Sequence, residues 1–357
     1  MEAEQYQELC RVLTDHGKRC PLMEPCDAVK LIYQNEFGCE HLISKPDAAL
    51  ARLRAEWAST PFDPSAPTVE DIGNGMARVA LAAVRLTDDA LRTLGRDFLR
   101  SAQVRTGRRE TFLSKLDALR TLTEEKVFSF TPQELEAYLE RYVSEGCGPL
   151  SHSPAYRAAY RPAYRVVKRS CSLAALYWDL TQLLERGERS VVAIEGRCAA
   201  GKSTLAGRLG QRLDVPVVHM DHFFLRPEQR TKERLARPGE NVDHERFREE
   251  VLEPLATGEA VTYRPWSCQT GALGEPIALR PSPMVLVEGS YSCHPTLWDG
   301  YDRRVFLTVD RSEQLRRIEA RDGPSQLQVF REKWIPLEER YFSAFQVEER
   351  CDYQLEL

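Results

Sequence analysis

VVAIEGRCAAGKST, residues 191–204, decides how the C-terminal half of the chain folds. Val191 to Gly196 is a short apolar run that reads as a buried strand. Gly196-Arg197-Cys198-Ala199-Ala200-Gly201-Lys202-Ser203-Thr204 follows without a gap and satisfies the pattern Gly-x4-Gly-Lys-Ser/Thr. Leu205, Leu209 and Leu213 then recur at helical spacing, so the motif lies between a strand and a helix, the context it requires. Small residues there let backbone amides curl around phosphate oxygens, and the start of the helix adds a favourable dipole. Lys202 is suited to reach the β- and γ-phosphates of ATP, and the Ser203 hydroxyl to ligate Mg²⁺. All nine residues from Gly196 to Thr204 are therefore candidate ATP-binding positions.

Outward from this loop the pattern alternates strands and helices. VPVVHM (215–220), MVLVEG (284–289), RVFLTV (304–309) and the final CDYQLEL read as further strands. Uninterrupted apolar strands separated by helices predict a parallel sheet covered on both faces, hence an α/β class for this half. Asp221 follows the second strand directly, and in open α/β sheets that end of a strand faces the ligand crevice. A carboxylate there can accept a hydroxyl proton during phosphoryl transfer, or it can simply cap a helix or hold a metal-bound water. Glu288 ends another strand and suits a Mg²⁺ or water-orienting role.

With these residues in place, the stretch from about 190 to 357 resembles the uridine kinase-like branch of P-loop kinases. Asp221-His222-Phe223-Phe224 is similar to that family's Asp-Ser-Phe-Tyr, Asn241-Val242-Asp243-His244 to its Asn-Phe-Asp-His, and Val287-Glu288-Gly289 to its Phe-Glu-Gly. The resemblance implies Asp221 as catalytic base, Asp243 as a ligand for acceptor hydroxyls, ATP with Mg²⁺, and a small hydroxyl-bearing acceptor such as a nucleoside. Arg317 and Arg321 resemble the phosphate-contacting arginines at the base of the family's lid. Four residues apart, they are expected on one helix face, which would aim both at one anion. The lid itself departs from the family, since GPSQLQVF (323–330) replaces its Arg-Gly-Arg stretch; Arg331 is a candidate substitute. Its base-reading Tyr-Asp-Phe…His segment is only echoed by Tyr263-Arg264-Pro265-Trp266-Ser267-Cys268. Residues 261–264 and 276–279 are expected to form a hairpin over the acceptor pocket, where Tyr263, Arg264 and Trp266 would set specificity.

The N-terminal half, 1–172, reads as a mostly α-helical domain, with 173–357 as the kinase-like domain. Helices are expected near 88–104, 108–123 and 131–145, the last with Thr131, Pro132 and Glu134 as a start signal. Residues 59–75, with three prolines and two glycines, read as loop, with Gly73 and Gly75 marking a tight turn, and MARVALAAV as a strand or buried segment. In SHSPAYRAAYRPAYRVVKRS (151–170) tyrosines and arginines repeat every four residues, but Pro162 argues against one continuous helix. His16, His41 and His152 lack metal-ligand spacing and read as structural hydrogen-bonding residues. This half is a candidate for regulating the kinase domain, binding its substrate or assembling a homo-oligomer.

Composition sets the remaining bounds. The chain has 357 residues, 49 basic and 54 acidic, for a formal charge of −5. That balance gives no footprint for nucleic acid or an acidic membrane, and no apolar run has the length of a membrane span. The start, MEAEQYQELC, lacks the features of a signal peptide. Ten scattered cysteines without a Cys-x-x-Cys pair read as reduced thiols in a cytoplasmic protein. The sequence thus predicts an ATP-dependent small-molecule kinase. A kinase-like ATP-binding regulator with an altered lid is the alternative, and a mechanical ATPase fits less well because no arginine-finger signature is evident.

Overall fold

In the computed structural model, residues 3–39, 45–63, 68–82, 88–103 and 107–357 are described. Two compact units divide the chain, Met1–Trp178 and Asp179–Leu357. None of the ten cysteines is in a disulfide. Among the described residues no helix is long and apolar enough to cross a membrane.

The N-terminal unit is mostly helical, with a small antiparallel sheet. Its helices include Ala3–Arg19, Pro25–Phe37, Pro46–Ser59, Asp88–Gln103, Arg109–Glu124 and Pro132–Ser144. The last begins as expected: Thr131 Oγ1 accepts from the Glu134 amide, and the Glu134 carboxylate accepts from the Thr131 amide. The sheet contains β1 (Val69–Gly73), β2 (Met76–Ala80) and β3 (Tyr164–Lys168) in that order. The expected 59–75 loop is therefore a strand at its C-terminal end. Its prolines stop at Pro67, and Asn74-Gly75, with φ of 53° and 69°, make the left-handed two-residue turn that joins β1 to β2. Residues 64–67 of that stretch, the end of MARVALAAV and His41 lie outside the described residues.

The tyrosine- and arginine-rich segment breaks at Pro162, as its sequence predicts. A short helix, Pro154–Tyr160, ends at Arg161 in the left-handed conformation, and β3 follows. Tyr156 and Tyr164 turn into the unit rather than forming a surface stripe. His152 uses both ring nitrogens there, one 2.8 Å from Asp27 Oδ1 and the other 2.6 Å from the Tyr164 hydroxyl. His16 is likewise buried against Glu70 and Arg78. Both histidines are held by buried polar partners, which is the structural role expected of them.

In the C-terminal unit the strands are β4 (Ser190–Gly196), β5 (Val217–His219), β6 (Thr262–Tyr263), β7 (Trp266–Ser267), β8 (Ala272–Leu273), β9 (Ile277–Ala278), β10 (Met284–Glu288), β11 (Arg303–Thr308) and β12 (Tyr353–Glu356). Five of them form one all-parallel sheet in the order β12–β11–β4–β10–β5. All five residues of β10 are buried, as a strand covered on both faces must be. The phosphate-loop strand β4 is central, and its two neighbours come later in the chain on opposite sides. Its C-terminal end is thus a topological switch point, where open α/β sheets bind ligands. The remaining short strands pair as β6–β9 and β7–β8, an extended hairpin.

Gly196 ends β4 with φ of 138°, and a Cβ there would lie 2.1 Å from the Leu307 carbonyl oxygen of β11. The obstacle is sheet backbone, which cannot swing aside. Gly196→Ala is expected to cost about 3 kcal/mol or more through overpacking and strain. Thermal denaturation should show the unit's midpoint falling by roughly 6–12 °C. An unchanged midpoint would mean that β4 and β11 leave room for a methyl group at Gly196.

Candidate active site

The loop after β4 is shaped by what its amides and side chains already hold. The Gly196 amide donates to Glu195 Oε1, that of Arg197 to the Leu307 carbonyl, that of Cys198 to Glu338 Oε2 and that of Ala200 to the Arg197 carbonyl. The Arg197 guanidinium faces away, paired with Glu339 at 2.7 Å and Glu348 at 2.8 Å. Gly196, Arg197, Cys198 and Ala200, all candidate ATP-binding positions, therefore set the loop's shape and offer no free amide. Ala199 and Gly201 take left-handed backbone conformations, φ of 59° and 99°, and turn the chain into the helix Lys202–Leu213. The amides of Ala199, Gly201, Lys202 and Ser203 have no acceptor among the described residues. These amides and the helix start make the anion cradle.

Around this cradle lies a cavity of about 1000 Å³. Lys202, Ser203, Thr204, Asp221, Glu288, Arg317 and Arg321 all line it, so residues more than 100 positions apart in sequence meet at one cavity. Lys202 Nζ donates to the Gly196 carbonyl at 2.6 Å and the Arg197 carbonyl at 3.1 Å. Arg317 lies against the loop through the Ala199 carbonyl at 3.2 Å. Ser203 Oγ donates to Glu288 Oε2 at 3.1 Å, and Glu288 Oε1 lies 2.6 Å from His219 Nδ1. A hydroxyl and a carboxylate side by side at the helix start form a hard oxygen donor set suited to Mg²⁺.

Asp221 stands in a single helical turn, Met220–Phe223, directly after β5. Its carboxyl opens into the cavity. Withdrawal from bulk water, together with the Glu288 charge, raises its pKa above the usual carboxylate range, while Lys202 and His219 pull the other way. His219 shifts upward because Glu288 holds its proton. Beneath the loop, burial raises the Glu195 carboxyl to about 7, and Glu195 accepts hydrogen bonds from the Gly196 and Cys293 amides.

Other candidates sit elsewhere. Asp243 is 3% exposed and does not line the cavity. It caps the helix that follows by accepting from the Arg246 amide, accepts from Gln229 Nε2 at 2.7 Å, and lies near the Arg226 and Arg246 guanidiniums. Asn241 of the same motif lines the cavity in its place. Residues 262–278 do form the expected hairpin, but Tyr263, Arg264 and Trp266 do not reach the cavity. Tyr263 is buried against Phe223 and bonds His222 through its hydroxyl, whereas Arg264 caps the Gly274 carbonyl. Cys268 is the hairpin residue that lines the cavity.

Three residues that the sequence pattern did not single out complete the site. Lys333, over the ring of Trp334, brings a cation to the cavity from the stretch just after GPSQLQVF. Glu338 bridges the Cys198 amide and the Ser290 hydroxyl. Arg230 stands on the segment after Asp221. Elsewhere in this unit Glu240, His244 and His294 offer ligand atoms within 4.8 Å of one another. Their two imidazoles are stacked nearly parallel at 4.1 Å, so one ion cannot lie in both ring planes, and Arg234 already holds Glu240 at 3.0 Å. That arrangement is a packed ion pair rather than a metal centre.

The C-terminal unit thus sets a bend and a helix start at the end of the central strand of a five-stranded parallel sheet flanked by helices. Among solved structures, the chain is similar to a possible uridine kinase from Bacillus stearothermophilus, at 20% identity and a TM-score of 0.37, over 50% of this chain and 100% of that one. It is also similar to D-glycerate 3-kinase from Cryptococcus neoformans var. grubii, at 12% identity and a TM-score of 0.36, over 50% of this chain and 91% of that one. No family model and no curated protein matches the chain.

Proposed function

We propose that the C-terminal unit is a small-molecule kinase that moves the γ-phosphoryl group of ATP to a hydroxyl of its acceptor. The observation that carries this reading is the convergence of Lys202, Ser203, Asp221, Arg317 and Arg321 on one cavity at the C-terminal ends of the parallel strands. The free amides from Ala199 onward and Lys202 would hold the β- and γ-phosphates. Ser203 and Glu288 would hold Mg²⁺, which when bound neutralises charge on the phosphate oxygens. Asp221 takes the proton of the acceptor hydroxyl as its oxygen bonds to the γ-phosphorus and the bond to the departing ADP oxygen breaks. Arg317, Arg321 and Lys333 face the charge that develops in that transfer.

The acceptor is less closely specified than the sequence resemblance suggested. With Tyr263, Arg264, Trp266 and Asp243 outside the cavity, the contacts that would read a nucleobase and hold a ribose lack support. ADP release from ATP and Mg²⁺, measured with and without panels of alcohols, sugars and hydroxy acids, tests the reading. Acceptor-dependent release is expected. ATP binding with no stimulation by any acceptor would favour the non-catalytic alternative.

A further inference from the structure

We infer that the acceptor carries an anionic group, a carboxylate or a phosphate monoester, and that Arg230 receives it. The inference rests on the kinase reading and concerns the wall of the cavity beyond Asp221. Five arginines lie between positions 226 and 246, and four are neutralised by carboxylates. Arg226 lies near Glu228 and Asp243, Arg234 pairs with Glu240 and Glu245, Arg237 with Glu240, and Arg246 lies near Asp243 and Glu250. Arg230 lines the cavity, is exposed to it, and has no carboxylate partner among the described residues.

Its guanidinium is nevertheless held in place. Nε donates to the Leu225 carbonyl at 2.9 Å and one terminal nitrogen lies 3.9 Å from Cys268 Sγ, which ties it to both the Asp221 segment and the hairpin. The other terminal nitrogen has no protein acceptor among the described residues. A planar fork fixed in this way is suited to a carboxylate or phosphate. Lys202, Arg317, Arg321 and Lys333 line the cavity too and on the kinase reading serve the triphosphate; Arg317 and Arg321 are moreover paired with Glu313 and Asp322, which leaves Arg230 as a charge for the acceptor. Asn241 complements it. Its Nδ2 donates to the Tyr291 hydroxyl at 3.3 Å, and its Oδ1 is left to accept from an acceptor hydroxyl. Phe224, Leu225 and Leu235 line the same wall with apolar surface.

The test uses matched probes that differ only in charge: glycerol, glycerate and glycerol 3-phosphate, with ribose, ribonate and ribose 5-phosphate as a longer frame. Each is titrated calorimetrically into the full chain saturated with Mg²⁺ and a non-hydrolysable ATP analogue. In at least one frame an anionic member is expected to bind about 10- to 100-fold more tightly than its neutral counterpart. Arg230→Gln should erase that difference, Arg230→Lys should restore part of it, and affinity for the ATP analogue serves as the folding control. Whether the carboxylates or the phosphates gain more tells which anion the site takes. Equal binding of charged and neutral members, a preference that survives Arg230→Gln, or no binding by any anionic member would overturn the inference. The kinase reading is judged separately, because a neutral alcohol that drives ADP release at full rate would keep the kinase and discard the anionic acceptor.

Discussion

Asp221→Asn should leave ATP bound and reduce acceptor-dependent turnover by about 10²–10⁴-fold, the contribution typical of one positioned general base. The substitution keeps the side chain's shape and removes only its capacity to take a proton. Asp221 lines the cavity with Lys202 and Ser203, so a hydroxyl placed between them meets the carboxylate on one side and the phosphate on the other. Equilibrium binding of a labelled ATP analogue beside steady-state ADP release separates the two effects. Turnover within about threefold of wild type would exclude Asp221 as the base, since even the low end of the expected loss is far larger.

The same carboxyl sets a pH dependence. Loss of water and the neighbouring Glu288 raise its pKa above the ordinary value of 3.8. A base acts only when ionised, so turnover should rise with pH as Asp221 loses its proton, and the acid limb should lie above the range of an exposed aspartate. In Asp221→Asn the residual rate should lose that limb. If the limb survives unchanged, another group titrates there.

What could be read from sequence divides along contact distance. The loop from Gly196 to Ser203 was legible because strand, bend and helix are consecutive, and the chemistry is fixed by residues within one turn of each other. Asp221 and Glu288 were legible because each ends or follows an apolar strand, and parallel strands all open at the same end. Arg317 and Arg321 came from the family resemblance; their spacing sets them on one face of the helix Arg311–Val329, and both line the cavity. Glu338 was not legible. Its bond to the Cys198 amide spans 140 positions, and a lone glutamate in a helix carries no local mark of that contact.

Asp243 shows the opposite failure. Its motif matched, yet an aspartate directly before His244-Glu245-Arg246-Phe247 is also a helix cap, and in this chain the cap and two nearby guanidiniums occupy the carboxylate. Tyr263 failed for a reason of periodicity. In a two-residue strand alternate side chains point oppositely, and Thr262 took the exposed side while Tyr263 turned inward. β1 escaped notice because turn residues crowd the stretch before it and hide an ordinary short strand.

Lys202→Ala is the complementary expected result, a loss of nucleotide affinity and turnover together. The ammonium now rests on the Gly196 and Arg197 carbonyls at 2.6 and 3.1 Å. It is therefore held at the mouth of the cradle before any phosphate arrives, and binding exchanges those carbonyls for phosphate oxygens with little reorganisation. Charge-assisted hydrogen bonds contribute roughly 1.5–3 kcal/mol, so ATP affinity should fall about 10- to 150-fold. Loss of a preorganised charge facing the transferring group should cost a further 10²–10³-fold or so in turnover at saturating ATP. Lys202→Arg should not rescue fully, because a planar guanidinium cannot reproduce a compact ammonium seated on two carbonyls. Removing the lysine also frees those carbonyls, so thermal denaturation must accompany the kinetics. A lowered midpoint that ATP no longer raises fits a folded unit with an empty cradle, whereas an ATP-dependent rise as large as in wild type would show that the triphosphate binds somewhere other than this bend.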